Sequence, residues 1–156
     1  MTHHLQTIED AVETALFAPL DAIGVRTIKA YAGELDVESV KELASSLSNR
    51  LPAVFIAAES LGIEPRNRVD IATTEIHIAC CTRHLRGPEK ATRGDATPEP
   101  GIFEVLETVE DTLNGANVVP GWAALAWAGV EKVIRQPNNA LVVFIEKFRI
   151  QRPVSR

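Results

Sequence analysis

The segment that most constrains the fold is the longest strand-like stretch of the chain, RNRVDIATTEIHIACCTRHLRG, which runs from Arg66 to Gly87. β-Branched residues recur through it and favour extended backbone. Because the side chains of a strand alternate between two faces, each residue of the stretch can be assigned to one face or the other. The chain is therefore expected to fold around a sheet in which this segment is a long strand.

The same stretch holds two histidines and two adjacent cysteines between Thr74 and His84, which raises the question of a metal or thiol site. Strand alternation divides these side chains between the two faces. One face receives Glu75, His77, Ala79, Cys81 and Arg83, and the other receives Thr74, Ile76, Ile78, Cys80, Thr82 and His84.

A metal site is disfavoured by distance. At about 3.3 Å per residue, His77 and Cys81 lie roughly 13 Å apart along a strand, whereas zinc ligands converge on one point at about 2.0 to 2.3 Å. The sequence therefore predicts no metal and no cofactor. A small enzyme that uses His77 with Cys81 or Glu75 is the alternative, since a neighbouring histidine can activate a thiol. Cys80 is predicted to be a small buried residue.

The N-terminal part alternates between helix and strand signals. Apolar residues at helical spacing predict a first helix over about residues 8–18, ended by Pro19. β-Branched residues favour a strand at 25–31. Asp36 is a candidate N-cap for a second helix that ends near Asn49. The next segment, LPAVFIAAE, is apolar on both alternate sets and predicts a central strand covered on both faces.

The C-terminal part predicts a helix and a hairpin. Apolar periodicity indicates a helix over 102–113, closed by Asn114 and Gly115. The segments AALAWAGVEKVIRQ and ALVVFIEKFRIQR flank the turn PNN. The resulting order, α-β-α-β-β-α-β-β, predicts an α+β fold: a mostly antiparallel sheet with a C-terminal β-hairpin, flanked by about three helices.

Length and composition limit the class of protein. The 156 residues suit one domain, 1–156, with a polar loop at about 86–100 that we predict to be mobile. The net charge of −5 argues against nonspecific nucleic-acid binding. No apolar run reaches the roughly 18 to 20 residues that span a bilayer, so we expect no membrane partner. The N-terminus lacks a secretory signal, and adjacent cysteines cannot staple a fold, which together predict folding in a reducing cytoplasm.

Charged side chains form sets of opposite sign that are either solvated faces or complementary contact surfaces of an assembly. The helix at 102–113 carries the acidic set, and basic residues gather near Gly87 and near the C-terminus. The candidate contact residues are Arg83, Arg86, Arg93, Glu104, Glu107, Glu110, Lys147 and Arg149.

Catalytic signatures are not found in the sequence. It contains no G-x-S-x-G, G-x-x-x-x-G-K or H-E-x-x-H motif, and we predict that the protein is not an enzyme. Trp122 and Trp127 are candidate interface anchors, with a core position for Trp127 as the alternative.

A family resemblance extends this interpretation. The segment GVRTIKAYAGELDVESVKELASSLSNRLPAVFIAAE, from Gly24 to Glu59, resembles the tail-terminator family of Mu-like phages and prophages. Downstream, CTRHLRG before a helix and the closing ALVVFIEKFRI arm are similar to the family in layout and order. The resemblance spans the chain from about Ile8 to Arg152.

The resemblance implies a virion structural protein with an α+β fold and no catalytic residues. Members of the family form a ring, usually sixfold, that caps the head-proximal end of the tail tube, stops tube polymerisation and offers a surface for head–tail joining. It implies partners in the tail tube protein and a neck or head-completion protein, with DNA passing through the lumen without specific binding. The implied location is the phage tail, assembled in the host cytoplasm. A neck connector or another tail-completion protein of similar fold is the alternative.

Overall fold

The structure, a computed structural model, describes residues 3–36, 39–83, 100–135 and 141–155. Over these residues the elements follow the predicted order. The helices are α1 (His4–Ala22), α2 (Val40–Leu47) and α3 (Ile102–Leu113). The strands are β1 (Thr27–Ala30), β2 (Ala53–Arg66), β3 (Val69–Arg83), β4 (Ala126–Arg135) and β5 (Leu141–Val154). Residues 86–99 of the predicted mobile loop lie outside the described ranges.

The strands of the described ranges form one five-stranded sheet in the order β1-β2-β3-β5-β4. β1 is parallel to β2, because α2 carries the chain back between them, whereas the other neighbouring strands are antiparallel. β4 and β5 pair antiparallel as expected for the C-terminal hairpin, while the predicted turn at 137–139 lies outside the described residues. The predicted α+β fold with a mostly antiparallel sheet is confirmed.

The sheet separates two apolar clusters. On one face, α1 and α3 cover Ile76, Ile78 and Cys80 of β3. On the other face, α2 covers Ala79 and Cys81. Strand alternation therefore assigned these β3 side chains to the correct faces.

α1 is longer than predicted. It begins at His4 and continues to Ala22, with Pro19 inside it. The prediction that Pro19 ends the helix is wrong, because the buried stripe of Ile8, Val12 and Leu16 continues to Leu20, which is also buried. Burial of Leu20 offsets the loss of the backbone hydrogen bond that Pro19 cannot donate.

The N-cap of α2 is Ser39, so the prediction of Asp36 is wrong. Ser39 Oγ accepts a hydrogen bond from the Glu42 N–H at 3.2 Å. The Asp36 N–H instead donates to the Gly33 carbonyl in a preceding turn, at 3.0 Å. The helix therefore begins one turn later than expected, where a serine can satisfy an unpaired N–H group.

β2 extends beyond the predicted segment and reaches Arg66. A two-residue turn, Asn67–Arg68, joins it to β3, since Arg66 pairs with Val69. Asn67 adopts a φ of 47°, a left-handed conformation that asparagine tolerates. β1 pairs only with residues 53–56, so the outer part of this hairpin extends beyond β1.

We predict that Ser39→Ala lowers the free energy of unfolding by about 1 kcal/mol, because it removes the cap of α2. Ser45→Ala, at an exposed position of the same helix, is the matched control and should be neutral or slightly stabilising, since alanine is the better helix former. Urea unfolding of both variants measures the difference. Equal losses in the two variants would contradict the assignment of the cap.

Candidate functional site

The two cysteines lie in the core rather than in a reactive site. Cys80 and Cys81 are both fully buried, on opposite faces of β3. Burial raises the pKa of the Cys81 thiol to about 12 and raises the pKa of Cys80 well above its ordinary value. Because the thiolate is the nucleophile, thiols held in the protonated form are not suited to nucleophilic catalysis.

His77 belongs to a polar cluster on the half of the sheet face that α2 leaves uncovered. Its Nε2 lies 2.7 Å from Glu75 Oε1, and Arg149 Nε donates to Glu75 Oε2 at 3.1 Å. The hydrogen bond with His77 lowers the pKa of Glu75; burial opposes this shift, and Arg149 adds to it. The three side chains form a hydrogen-bonded cluster on the sheet surface.

Lys147 lies on the same uncovered half-face. Its Nζ is 3.4 Å from Glu131 Oε2 on β4. Lys147 and Arg149, both predicted contact residues, are thus already paired within the subunit. Next to Arg149, an open cleft of about 580 Å³ is lined by the bulge of β2 at Leu61–Ile63, together with Thr73, Ala126 and Gln151.

The remaining predicted contact residues divide into two groups. Glu104 and Glu107 are exposed on α3 and Glu110 is partly buried, so the acidic face exists as a surface. Arg86 and Arg93 lie outside the described residues, and Arg83 is the last residue of β3.

No group of three or more His, Cys, Asp or Glu side chains in the described ranges could hold a metal ion. Among the same residues, every helix is too short or too polar to span a bilayer.

Glu146 is a residue that the sequence analysis missed. It lies on β5, on the face covered by α1 and α3, and is 1% exposed. Its Oε1 accepts a hydrogen bond from Trp127 Nε1 at 3.0 Å, whereas Oε2 is buried without a hydrogen-bond partner among the described residues. Burial raises the pKa of Glu146 to about 7, and the neighbouring charge of Glu110 adds to the shift.

The alternation of side chains along the last strand could have identified this residue. Val142, Phe144 and Phe148 share one alternate set of the last strand, and Glu146 occupies the same set. A single carboxyl group in an otherwise apolar set indicates a buried ionisable side chain. Trp127 is 44% exposed, so the predicted core position is wrong, although its Nε1–H donates to buried Glu146. Its role as an interface anchor stays a prediction.

The borders of the sheet are the second feature that sequence reasoning missed. β4 forms one border, and the outer part of β2 forms the other, beyond its pairing with β1. Both borders carry exposed apolar side chains: Leu61 and Ile63 near the end of the β2–β3 hairpin, and Trp127, Val130 and Val133 on β4. Unpaired strand edges with apolar side chains are surfaces that associate with other strands.

The described residues thus define an α+β protein whose notable surfaces are sheet borders rather than an assembled catalytic centre. Residues 4–151 match the family described as Bacteriophage Mu, Gp37. The chain belongs to this family.

Structural comparison agrees on the fold. One chain of a solved structure described as the virion of a native gene transfer agent particle is similar over 98% of this chain and 100% of its own length, with a TM-score of 0.60 and 15% sequence identity. No curated protein sequence matches the chain significantly. The protein is therefore a member of a bacteriophage family that shares its fold with a component of a virion particle.

We predict that Glu75→Gln lowers the free energy of unfolding at pH 7 by about 1–3 kcal/mol, because charge-assisted hydrogen bonds are lost. The folded-state pKa of Glu75 lies below its ordinary value of 4.5, so this stabilisation is present above that value and disappears as the pH falls through the folded pKa. Denaturant unfolding from pH 3 to pH 8 measures the effect.

The control for this prediction is Glu59→Gln, since Glu59 pairs directly with Glu75 across β2 and β3 and is exposed. The substitution removes the repulsion between two like charges, so the free energy of unfolding should change little. A loss as large as that of Glu75→Gln would show that the specific hydrogen bonds are unimportant.

Glu146 should give the opposite pH dependence. Its pKa is raised from 4.5 to about 7, so the folded state retains a proton that the unfolded state releases, and stability falls as the pH rises through this window. Between pH 5 and pH 8 the free energy of unfolding of the wild type should fall by on the order of 2 kcal/mol, and we predict that Glu146→Gln removes this fall. Thermal or urea unfolding across this range should find a flatter profile for the variant, with exposed Glu131→Gln as a control that keeps the wild-type slope.

Proposed function

We propose that the protein is a phage tail terminator, a non-enzymatic subunit of a ring that caps the head-proximal end of the tail tube. The observation that carries the proposal is the match of residues 4–151 to the Mu Gp37 family, which spans nearly the whole chain. The fold likeness to a component of a gene transfer agent virion supports it, since the two chains align over almost their full lengths.

The mechanism of termination is geometric. One rim of the ring fits the last ring of tube protein, and the opposite rim offers no surface for a further tube ring, so polymerisation stops. That opposite rim then presents the joining surface for a neck or head-completion protein. The net charge of −5 suits a lumen through which DNA slides without binding.

The arrangement of the polar groups agrees with a structural role. The Glu75, His77 and Arg149 side chains pair with each other, and both cysteines are buried. These residues stabilise the subunit, and we assign the recognition of partner proteins to the rims of the ring and the borders of the sheet.

We predict that the purified protein, added to polymerising cognate tail tube protein, stops elongation and binds at one end of each tube. Negative-stain electron microscopy with a labelled subunit measures tube length and label position. Binding along the tube wall, or unchanged elongation, would contradict the proposal. Binding to the neck protein without binding to tube ends would favour the connector alternative.

His77→Ala is the control that separates a structural role from an enzymatic one. It removes the histidine that the enzyme alternative would use with Cys81 or Glu75, whereas a terminator does not need this base. The variant should cap tubes as the wild type does. Loss of capping in a variant that remains folded by circular dichroism would show that His77 takes part in assembly and would contradict its purely structural role.

A further inference from the structure

We propose that Glu146 and Trp127 form a pH-sensitive latch on the border strand: when the buried carboxyl loses its proton, residues 127–132 of β4 move away from the core and water reaches the charge. We call residues 127–132 the latch segment. The inference concerns the single subunit and does not depend on the proposed ring. Three observations carry it: the burial of the carboxyl group, the charges that surround it, and the one-sided pairing of β4.

The carboxyl group of Glu146 lies where its ionised form is poorly solvated. The residue is 1% exposed and lies on β5, between β3 and β4. Trp127 Nε1–H donates to Oε1 at 3.0 Å, and Oε2 has no hydrogen-bond partner among the described residues. An ionised carboxylate accepts several hydrogen bonds, whereas the described part of this site offers one donor. The site therefore suits the protonated form, which carries no charge.

The charged groups that surround Glu146 favour the same form. From α3, Glu110 adds a nearby charge of the same sign. From β3, the Cys80 thiol stays uncharged, because burial and the neighbouring Glu146 hold the pKa of Cys80 well above its ordinary value. From β4, Lys132 lies on the same face by alternation, but its side chain is exposed to solvent.

Other charged groups on the neighbouring elements are bound elsewhere. Lys147 and Arg149, the basic neighbours along β5, lie on the opposite face with acidic partners of their own. Helices α1 and α3 carry acidic residues and no lysine or arginine. Glu9 of α1 accepts a hydrogen bond from a backbone N–H of β2.

The balance of these effects places the change of charge near neutral pH. Burial raises the pKa of Glu146 to about 7; the Trp127 hydrogen bond opposes this shift and Glu110 adds to it. Below this pH the carboxyl is neutral and the latch segment is closed. Above it, the folded subunit must hold a buried charge or hydrate it, and opening the latch segment hydrates it.

β4 is the element that can open locally. It pairs with β5 alone, whereas β3 is paired on both sides. Its ladder with β5 is interrupted twice, between Trp127 and Gly129 and between Lys132 and Ile134. Trp127 is itself 44% exposed, so a short outward movement brings solvent to the carboxyl. Local opening of such a segment costs less free energy than global unfolding.

Hydrogen bonds at the start of β4 limit this movement. The Trp127 N–H donates to Asn114 Oδ1 at 3.2 Å, and Leu125 forms backbone hydrogen bonds with Gly115 and Ala116. These bonds connect the start of the strand to the end of α3. We therefore expect the Trp127 side chain and the residues after it to move, while the backbone before Trp127 stays in place.

The test follows the solvent access of Trp127 in a Trp122→Phe background, where it is the only tryptophan. Acrylamide quenching of its fluorescence is measured over a pH series. We expect the quenching constant to rise about threefold between about pH 5.5 and pH 8.5, with a midpoint near pH 7. If Trp122→Phe does not fold, fluorine NMR of the wild type labelled with fluorotryptophan resolves the two indoles and measures the same transition.

Three variants in this background separate the latch from other sources of pH dependence. Glu146→Gln should keep the quenching constant low over the whole range, because the amide does not ionise. Glu110→Gln should move the midpoint to lower pH, because a like charge is removed. Glu131→Gln, at an exposed position on the opposite face of β4, should keep the original curve.

Hydrogen exchange, corrected for the intrinsic effect of pH on amide exchange, locates the change. Protection in the latch segment should fall about tenfold more than protection in β3 over the same pH range. Equal losses in both strands would reject the latch in favour of uniform destabilisation of the subunit. A quenching constant that does not change with pH, or a Glu110→Gln midpoint that does not move, would also overturn the proposal. Tube capping is measured separately, so failure of the latch leaves the terminator proposal intact.

Discussion

The two-sided pairing of β3 is the constraint on which the rest of the structure depends. β3 pairs with β2 from Val69 to Cys81 and with β5 from Asp70 to Arg83. A shift of one residue on either side would exchange the faces of every side chain in the strand. Because both faces of β3 pack against apolar clusters in its C-terminal half, such a shift would move buried residues to the wrong layer. The register is therefore fixed at the centre of the sheet, and unpaired backbone groups are left at its borders.

The unequal covering of the two faces determines where polar groups can lie. α1 and α3 cover one face, whereas α2 covers only one end of the other. The uncovered half holds Glu75, His77, Lys147 and Arg149, and each of these side chains has a polar partner within the subunit. A partner protein docking there would have to compete with these ion pairs. The borders carry exposed apolar side chains instead, and they are the surfaces where association gains most from burial.

The sequence predicts the parts of this fold that depend on local periodicity. The alternation in β3 and the helix at 102–113 are both confirmed, because each is determined by apolar residues at a regular spacing. Features that depend on distant partners were missed. The outer part of β2 is extended because β3 pairs with it, and Pro19 remains in a helix because Leu20 is buried in the core. The sequence places Glu146 in an apolar alternate set, but the lack of a second hydrogen-bond partner among the described residues follows only from the packing.

Glu146 makes the stability of the subunit depend on pH. A buried oxygen without a partner costs about 1–3 kcal/mol, and an apolar residue at this position would avoid that cost in an isolated subunit. The residue lies on β5, where its neighbours are Trp127 and Val130 of the border strand β4. Burial raises the pKa of Glu146 to about 7, so below that pH the carboxyl holds a proton in the folded state and the cost is largest at neutral and alkaline pH.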